Sequence, residues 1–456
     1  MLMGFANDKE LFLISMNIET EEWFTSDKAK KNSRKHYSHF DCRTTIEDQK
    51  KYITDPKNIA THSFYPFIHY QQIFIKYNKK TNKPTEKIRD ICYASHVDSC
   101  IFKYYSHLLD ELYITEITRR GISSVPIAYR TDLHKNNIHF AKQAIDFIRN
   151  HDHSYIMIGD FTGCFDNLDH RFLKKQWSNL IKTDQLPDDH YAVYKNITRY
   201  STWELKDLLS INELEDTKEG RRQLNSQKTV LTKDQFNANR SHICRNSNPF
   251  GIPQGSPISA LLANIYMIDV DEQINNIVKS TNGLYMRYSD DFIIILPTEQ
   301  SNAILKVKEI VSIFGQTPGL TLQPEKTQFF SFVEGNLMNC GALFDKKASL
   351  KKNHIDFLGF SFDGKSVKIR DKTTSKYYYR MHRKAKAISK NGGYTPAGKK
   401  ISAKNLYKTY SIKGARGKKG NFLSYVERCE KEFSNEKSIS QIKKRHMQKI
   451  HKAICE

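Results

Sequence analysis

The sequence predicts an α+β fold, in which buried strands alternate with amphipathic helices. Apolar runs of strand length stand at Tyr155 to Ile158 and at Phe292 to Leu296. Apolar residues recur at helical intervals between Lys87 and Arg149, and an apolar helix face is predicted over Ile258 to Val278. The 456 residues are enough for two or three subdomains with sizeable cores.

The first half of the chain contains a mixed segment, two helices and a strand. Residues 1–85 show no sharp boundary, although charge-rich Asp27 to Lys35 is expected to be exposed and His62 to Ile68 to be packed. Two helices are predicted around a loop at Gly121 to Thr131, followed by a buried strand at 154–161 and a polar, partly helical stretch at 171–248. The helices rest on the spacing of Ile101, Tyr104, Tyr105, Leu108, Leu109 and Leu112, and of Phe140, Ala144, Ile145 and Ile148.

A turn, a helix and a hairpin follow. Ser256 is expected to cap the helix that starts after it, with Pro257 tolerated in the first turn. Tyr285 to Leu296 is predicted to form a hairpin whose turn is Ser-Asp-Asp, and another helix is expected at Asn302 to Phe314. Together these elements predict a palm-like layer of helices on a sheet.

Three acidic residues stand at predicted strand ends. Asp160 closes the strand at 154–161, and Asp290 and Asp291 occupy the hairpin tip. Three carboxylates on neighbouring strand ends can hold two divalent metal ions roughly 4 Å apart, which stabilise both oxygens of an in-line phosphoryl displacement. We expect two Mg²⁺ ions, with Mn²⁺ as a substitute. A Tyr-x-Asp-Asp tetrapeptide alone does not decide this, because Asp-Asp turns are also common surface chemistry.

The basic excess is confined to the C-terminal end. Net charge is +22, and residues 346–456 contain 30 Lys and Arg against 8 Asp and Glu, whereas residues 1–345 contain 42 of each. A neutral body with a basic end is typical of proteins that bind a polyphosphate backbone, although a solvated basic tail has the same composition. Aromatic residues interleaved with the charge at Lys376 to Arg380 and Phe422 to Tyr425 favour a folded module that faces nucleic acid.

Composition argues against several other classes. The 8 cysteines show neither a disulfide framework nor zinc-ligand spacing, which favours a reducing compartment. The N-terminus lacks a signal-peptide pattern, and no stretch approaches the roughly 20 apolar residues that cross a bilayer. We therefore expect a cytoplasmic protein without a membrane partner.

The order of these motifs resembles that of the reverse transcriptases, from about Lys87 to Phe362. An Asp closes one strand, the turn Gly251 to Ser256 precedes a helix, and the acidic pair stands on a hairpin. The resemblance implies a right-hand polymerase fold: an N-terminal extension at 1–85, fingers at 86–153, a palm at 154–362 with a fingers-like helical insertion at 171–248, and a basic, mainly helical thumb at 363–456. Thumb helices are expected at Lys376 to Lys390 and Ser440 to Ala453.

The resemblance also implies an activity and a site. It implies an RNA-directed DNA polymerase that adds dNTPs to the 3′ end of a DNA primer or product on an RNA template. Asp160, Asp290 and Asp291 take the catalytic metal-binding positions, and Phe161 is assigned to metal and nucleotide binding. Phe165 stands where a large ring would collide with a ribose 2′-hydroxyl, which implies DNA as product; a plain core Phe is the alternative.

Further residues are assigned to nucleotide or primer binding by the same resemblance. Gln254 and Gly255 lie beneath the templating base and the nucleotide, where Gly permits close backbone approach; the alternative is an ordinary turn. Lys326 approaches the triphosphate and can protonate or shield the departing pyrophosphate, or it is a solvated lysine. The remaining assignments are Arg89 and Arg130 on the triphosphate, with Arg119 and Arg120 as competitors, and Tyr288, Leu358 and Gly359 on primer and template.

Within the family, three segments look like the bacterial unknown-group enzymes, which include abortive-infection and defence-associated reverse transcriptases. They are His62 to Phe67, Tyr93 to Asp98 and Ile101 to Tyr105. That subtype implies phage resistance, with a dedicated noncoding RNA, partner proteins or an oligomer. No Val-Thr-Gly element of retrons stands in Gly364 to Lys376, and no nuclease or Cys-rich endonuclease pattern was found. Template-independent or protein-primed synthesis, a silent RNA-binding scaffold and an RNA-making polymerase remain alternatives; Phe165 opposes the last.

Overall fold

A computed structural model describes most of the chain: residues 22–30, 35–78, 83–344, 353–390, 392–394, 398–400, 403–444 and 446–455. Parts of two predicted segments lie outside these residues, namely 31–34 of the stretch expected to be exposed and 445 of the second thumb helix. None of the described helices combines the length and the apolar character needed to span a bilayer.

The described elements alternate helix and strand along the chain. The strands are β1 (Phe67–Asn78), β2 (Lys83–Tyr93), β3 (His153–Asp160), β4 (Ser201–Glu204), β5 (Cys244–Arg245), β6 (Leu284–Tyr288), β7 (Asp291–Leu296), β8 (Gln328–Val333), β9 (Asn336–Asn339), β10 (Ile355–Phe357), β11 (Phe360–Phe362) and β12 (Val367–Ile369). The helices are α1 (Asp27–Lys30), α2 (Lys50–Ile53), α3 (Pro56–Ala60), α4 (His96–Arg119), α5 (Asn137–Arg149), α6 (Cys164–Asn167), α7 (His170–Leu180), α8 (Asp188–Thr198), α9 (Leu205–Ile211), α10 (Lys218–Leu224), α11 (Lys233–Ala238), α12 (Ser259–Tyr266), α13 (Ile268–Lys279), α14 (Gln300–Gln316), α15 (Asp371–Lys390), α16 (Ala403–Tyr410), α17 (Ile412–Ala415), α18 (Phe422–Glu432), α19 (Lys437–Lys444) and α20 (His446–Cys455). The predicted α+β class is confirmed.

These elements form two compact units, each collected from separate stretches of chain. The first contains the described residues up to Ser123, with Gly163–Asp269 and Thr317–Leu320. The second contains Ser124–Thr162, Val270–Gln316 and the described residues from Thr321 onward. The domains predicted from sequence are continuous stretches of chain, whereas each compact unit combines segments that are distant in sequence.

The first unit is built on a four-stranded sheet in the order β2-β1-β4-β5. The long strands β1 and β2 pair antiparallel, and β4 joins β1 in parallel. Ile68 and Trp203 are fully buried in the core beneath this sheet. Helix α4 starts after Ser95, whose hydroxyl accepts a hydrogen bond from the Asp98 N–H and so caps the helix.

The second unit contains a five-stranded antiparallel sheet in the order β6-β7-β3-β8-β9. The central strand β3 is buried along nearly its whole length, which explains its continuous apolar sequence. Helix α5 packs its apolar residues, including Phe140 and Ile145, into the core of this sheet. A separate three-stranded sheet, in the order β10-β11-β12, contributes Phe357 and Phe360 to the same core.

Two local predictions in the middle of the chain need correction. Helix α12 begins at Ser259, and Ser256 does not cap it; the Ser256 hydroxyl is buried without a hydrogen-bond partner among the described residues. The helix predicted over Ile258 to Val278 is instead α12 and α13. They separate at Met267, whose N–H bonds the Asn264 carbonyl three residues back and closes the first helix with a tight turn.

The C-terminal helices surround a small core of their own. Tyr377 and Met381 on α15 pack with Leu406, Tyr410 and Ile450. Helix α15 starts before the predicted Lys376, and α19 and α20, on either side of residue 445, cover the described part of the second predicted thumb helix. The exposed side of α15 presents a row of cations at helical spacing: Lys376, Arg380, Arg383, Lys386 and Lys390.

Candidate active site

The register of β3 against β7 brings the predicted acidic residues together. Asp160 stands directly opposite Asp291 in this antiparallel pair. One residue further, the Phe161 N–H donates a hydrogen bond of 3.1 Å to the Asp290 carbonyl. Asp160 is buried, whereas Asp291 is exposed. Main-chain pairing alone therefore gathers the three aspartates at one edge of the sheet.

The hairpin tip is a two-residue turn, Ser289-Asp290, between β6 and β7, and not the predicted Ser-Asp-Asp turn, because Asp291 pairs with Tyr288 as the first residue of β7. Ser289 has a φ of 61°, a conformation that a non-glycine residue rarely adopts. Its carbonyl accepts a hydrogen bond from Arg287 at 3.2 Å, and its hydroxyl accepts one from Tyr129 at 3.2 Å. The strained turn is thus held from both its main chain and its side chain.

Charges at this edge are closely coupled. The Lys326 ammonium lies 2.5 Å from Asp160 Oδ2. Although Asp291 is exposed as a whole, its carboxyl group loses hydration and faces Asp290 and Asp160, and these effects raise the pKa of Asp291 to about 7. Carboxylates packed this closely repel one another, so a cation placed among them would be favoured.

The donor atoms of these residues suit a divalent metal ion. The three aspartates offer only oxygen donors, the set that Mg²⁺ prefers. Their mutual repulsion and the cation already on Asp160 are both consistent with a cation-binding position. Within the described part of the chain, no group of three or more His, Cys, Asp or Glu side chains stands ready-made around a metal position. The donor chemistry therefore fits Mg²⁺, although no closed cage is preformed.

Two aromatic contacts stabilise the strand end that carries Asp160. A Cβ atom on Gly159 would lie 2.3 Å from the Phe292 ring, so only glycine permits that ring to cover β3. The Phe161 side chain is buried against Phe292 and Phe314, with ring centroids 5.5 and 5.0 Å away. Only the main chain of Phe161 is thus available for the metal and nucleotide binding predicted for it.

The second short hairpin lies beside a cavity of about 370 Å³ whose lining includes Tyr288 and Asp291. Leu358 and Gly359 form the turn between β10 and β11, with φ of 44° and 94°. Asn137 Nδ2 donates a hydrogen bond of 3.0 Å to the Leu358 carbonyl. This hairpin turn contains both Leu358 and Gly359, which the family resemblance assigns to primer and template, and it forms part of the cavity wall.

The model of the family "Reverse transcriptase (RNA-dependent DNA polymerase)" matches residues 78–362, which is more than half of the chain and includes all three aspartates. The chain belongs to the reverse transcriptase family. Members of this family are nucleotidyltransferases.

The similar solved structures include yeast telomerases. A Candida tropicalis telomerase truncated from its C-terminal domain, in its apo form, is 14% identical, covers 72% of this chain and 61% of its own, and has a TM-score of 0.41. The Candida albicans telomerase in complex with a TWJ fragment of telomeric RNA is 14% identical over 87% of this chain and 58% of its own, with a TM-score of 0.36. This chain thus spans less than two thirds of either telomerase. No curated protein matches it.

Four of the residues predicted to bind nucleotide lie in the first unit: Arg89, Phe165, Gln254 and Gly255. Gln254 donates a side-chain hydrogen bond of 3.1 Å to Asp166, and its carbonyl accepts one of 2.8 Å from the Cys92 N–H. Gly255 has a φ of 116°, and a Cβ atom there would lie 2.4 Å from the Cys92 carbonyl oxygen. The approach of β2 is therefore sufficient reason for glycine at this position. Phe165, on α6, is half-buried rather than part of a closed core.

The two predicted phosphate-binding arginines differ in availability. Arg89 lies on an exposed stretch of β2, with its guanidinium over the Phe74 ring at 5.4 Å. The phosphate-binding role predicted for Arg130 needs correction, because the Arg130 side chain is 2% exposed and makes two hydrogen bonds to Asp132, at 2.8 and 2.6 Å. The Asp132 carboxylate thus occupies the two guanidinium N–H groups of Arg130 that were expected to bind phosphate. The competitors Arg119 and Arg120 both bond Glu116.

Sequence reasoning missed the residues that support the hairpin. Asp271 on α13 binds Arg287 on β6, and neither side chain is more than 1% exposed. An arginine inside the apolar strand before the Ser-Asp-Asp turn was the available signal, since a buried charge needs a partner. Asn137, which binds the Leu358 carbonyl, left no comparable signal because it starts an ordinary amphipathic helix.

Proposed function

We propose that this protein is an RNA-directed DNA polymerase that adds dNTPs to the 3′ end of a primer on an RNA template. The observation that carries the proposal is the cross-strand pair Asp160 and Asp291, with Asp290 tied to the same strand end by the Phe161 N–H. Three carboxylates gathered at one edge of a family-matched sheet are typical of a functional site, because a cation bound among them would offset their mutual repulsion.

Asp160, Asp290 and Asp291 are the residues that would hold two Mg²⁺ ions. When bound, these ions supply charge stabilisation of the attacking and leaving oxygens. The chain's own contribution is to hold the carboxylates in place: the Arg287 bond to the Ser289 carbonyl fixes the turn, and β3 pairing fixes Asp160. Mn²⁺ offers the same preference for oxygen donors and serves as a substitute.

Lys326 contributes to this proposed reaction as well. Its ammonium pairs with Asp160, and its side chain is 51% exposed. A half-exposed lysine on a flexible stem can turn from a carboxylate to a phosphate. We assign Lys326 to the pyrophosphate leaving group, where an ammonium group donates a proton or shields charge.

DNA rather than RNA is the proposed product. Phe165 is half-buried, so part of its ring remains accessible to a ligand. A large ring at the position assigned by family resemblance leaves no room for a ribose 2′-hydroxyl. The exposed cations of α15, with Tyr379 64% exposed among them, support binding of the template and primer backbones.

We extend the proposal to antiviral defence in the bacterial cytoplasm, with a noncoding RNA, partner proteins or a further copy of the chain as partners. Two segments that carry the subtype resemblance meet in the first unit: His62 Nε2 lies 2.8 Å from Asp98 Oδ1, and the Tyr65 N–H donates to Asp98 Oδ2 at 3.0 Å. This shared network supports a common structural role for the two segments. Phage plating efficiency on cells with wild-type protein or with Asp290→Asn tests the defence role.

Primer extension tests the polymerase proposal directly. Purified protein with Mg²⁺, dNTPs and a primed RNA should extend the primer, and the double variant Asp290→Asn with Asp291→Asn should abolish extension. Asp152→Asn is the matched control, because Asp152 is an exposed aspartate just before the other end of β3. Extension by the double variant at the wild-type rate refutes the site.

The same experiment separates the alternatives. A silent scaffold binds RNA without extending it. DNA made without added template, or DNA covalently joined to the protein, identifies template-independent or protein-primed synthesis at this site. Sequencing the nucleic acid that copurifies with the protein identifies both a bound RNA and any DNA already made.

A further inference from the structure

The cavity beside Asp291 contains a cation that the family resemblance does not assign. Its lining comes from one unit and includes Asn137, Tyr288, Asp356, Gly359 and Arg370. Its charged lining residues are Asp291, Asp356 and Arg370. The volume of about 370 Å³ lies within the range of small-molecule and cofactor sites.

Arg370 is tied to the strained turn by its main chain and to the cavity wall by its side chain. Its N–H donates a hydrogen bond of 3.0 Å to the Gly359 carbonyl. Its Nε lies 3.3 Å from Asp356 Oδ2, and the Asp356 carboxylate also accepts a hydrogen bond from Ser361. Asp356 thus orients the guanidinium without enclosing it, since the Arg370 side chain stays 42% exposed.

We propose that Arg370 is a positioning residue that binds the 3′-terminal phosphodiester of the primer strand in this cavity. The inference rests on the proposed polymerase function. A primer end placed beside Asp291 brings its phosphate close to the carboxylates of Asp291 and Asp356. The phosphate and these carboxylates repel one another, so a cation is needed beside them. A guanidinium held at one edge by Asp356 can offer its other N–H groups to phosphate oxygens. Through its main-chain hydrogen bond to Gly359, Arg370 also connects the bound phosphodiester to the turn beside the primer 3′ end.

The test is binding and extension with a fluorescent DNA primer on an RNA template. Arg370→Gln is compared with Lys368→Gln, which removes an exposed cation two residues away on β12 that does not line the cavity. We expect Arg370→Gln to weaken primer–template binding about tenfold or more and to reduce the slope of log affinity against log salt by roughly 0.7 to 0.9. The KM for primer should rise while the KM for dNTP stays constant.

A second variant keeps the test decisive if Arg370→Gln unfolds because Asp356 loses the Arg370 charge. Arg370→Lys retains the charge but not the planar fork, so we expect an unchanged salt slope with weaker primer binding. Primer affinity equal to wild type in the soluble Arg370 variant, or a loss no larger than that of Lys368→Gln, overturns the inference. If wild-type protein extends primers and the Arg370 variants match it, only this inference fails; if wild type extends nothing, the polymerase proposal fails.

Discussion

Arg287 and Asp271 form an ion pair that is 1% exposed on both sides, with hydrogen bonds of 2.9 Å from Nε and 2.6 Å from Nη2. Tyr285 donates a third hydrogen bond to the same carboxylate, at 2.9 Å. Because Arg287 also bonds the Ser289 carbonyl, the pair connects helix α13 to the turn that carries Asp290. The position of the acidic hairpin thus depends on a charge pair buried beneath it.

Asp271→Asn should destabilise the protein strongly, because it leaves the Arg287 charge buried without a counter-charge. We expect the free energy of unfolding in urea to fall by roughly 3–5 kcal/mol, and primer extension to fall with it. Asp269→Asn, two residues earlier on the same helix, removes the half-exposed partner of Arg120 and should cost about 1 kcal/mol or less. Equal losses in the two variants would contradict this reading of the pair.

Gly159→Ala should disturb the strand end without touching a carboxylate. Its Cβ atom would lie 2.3 Å from the Phe292 ring, so the ring must move within a packed core. Such overpacking costs roughly 1–3 kcal/mol, measurable as a lower melting temperature. Gly315→Ala is the control: it lies in helix α14 with no atom within 4 Å of its Cβ position, so it should stabilise the helix by about 0.5–1 kcal/mol. A neutral Gly159→Ala would show that Phe292 relaxes freely.

Phe165→Val should relax the choice of sugar. Removing most of the ring opens room for a 2′-hydroxyl, and we expect the kcat/KM ratio of rNTP to dNTP to rise by about tenfold or more, equivalent to roughly 1.4 kcal/mol in transition-state binding. Incorporation of dNTPs should remain, which serves as the internal control. An unchanged ratio would assign sugar selection to a different residue.

Lys326→Ala should separate two roles of the lysine. Loss of the ammonium group from the leaving pyrophosphate predicts a fall in kcat of roughly 10²- to 10⁴-fold. Because Lys326 and Mg²⁺ both bind Asp160 in our proposal, half-saturation should at the same time require less Mg²⁺. A Mg²⁺ titration of single-turnover extension measures both effects, and Lys326→Arg, which keeps the charge, is the matched variant. A wild-type rate in Lys326→Ala would leave the lysine with a structural role only.

Sequence reasoning reached β3, the hairpin of β6 and β7, and several helices, because each depends on a short-range pattern of apolar spacing. It did not predict the long antiparallel pair β1 and β2, and β2 occupies Lys83–Tyr93, where helical spacing was expected from Lys87. It was also less successful with the helix after Gly255, which breaks at Met267, where the main-chain N–H bonds the Asn264 carbonyl. It also assigned Arg130 to phosphate binding, since the presence of Asp132 two residues away does not reveal that the Arg130 guanidinium is buried and paired with that carboxylate. Such orientations follow from burial, which local spacing does not report.

By itself, the sequence determined the reverse transcriptase family, the α+β class and three of the residues to test, because the acidic motifs are short, ordered and placed at strand ends. Only the tertiary structure decided that Asp160 faces Asp291 and that Asp271 supports the turn through Arg287. It also decided that residue 255 must be glycine, because β2 packs too closely against it for a side chain. The physical reason is that strand register and buried charge pairing are settled by contacts between residues far apart in the chain, whereas sequence motifs are local.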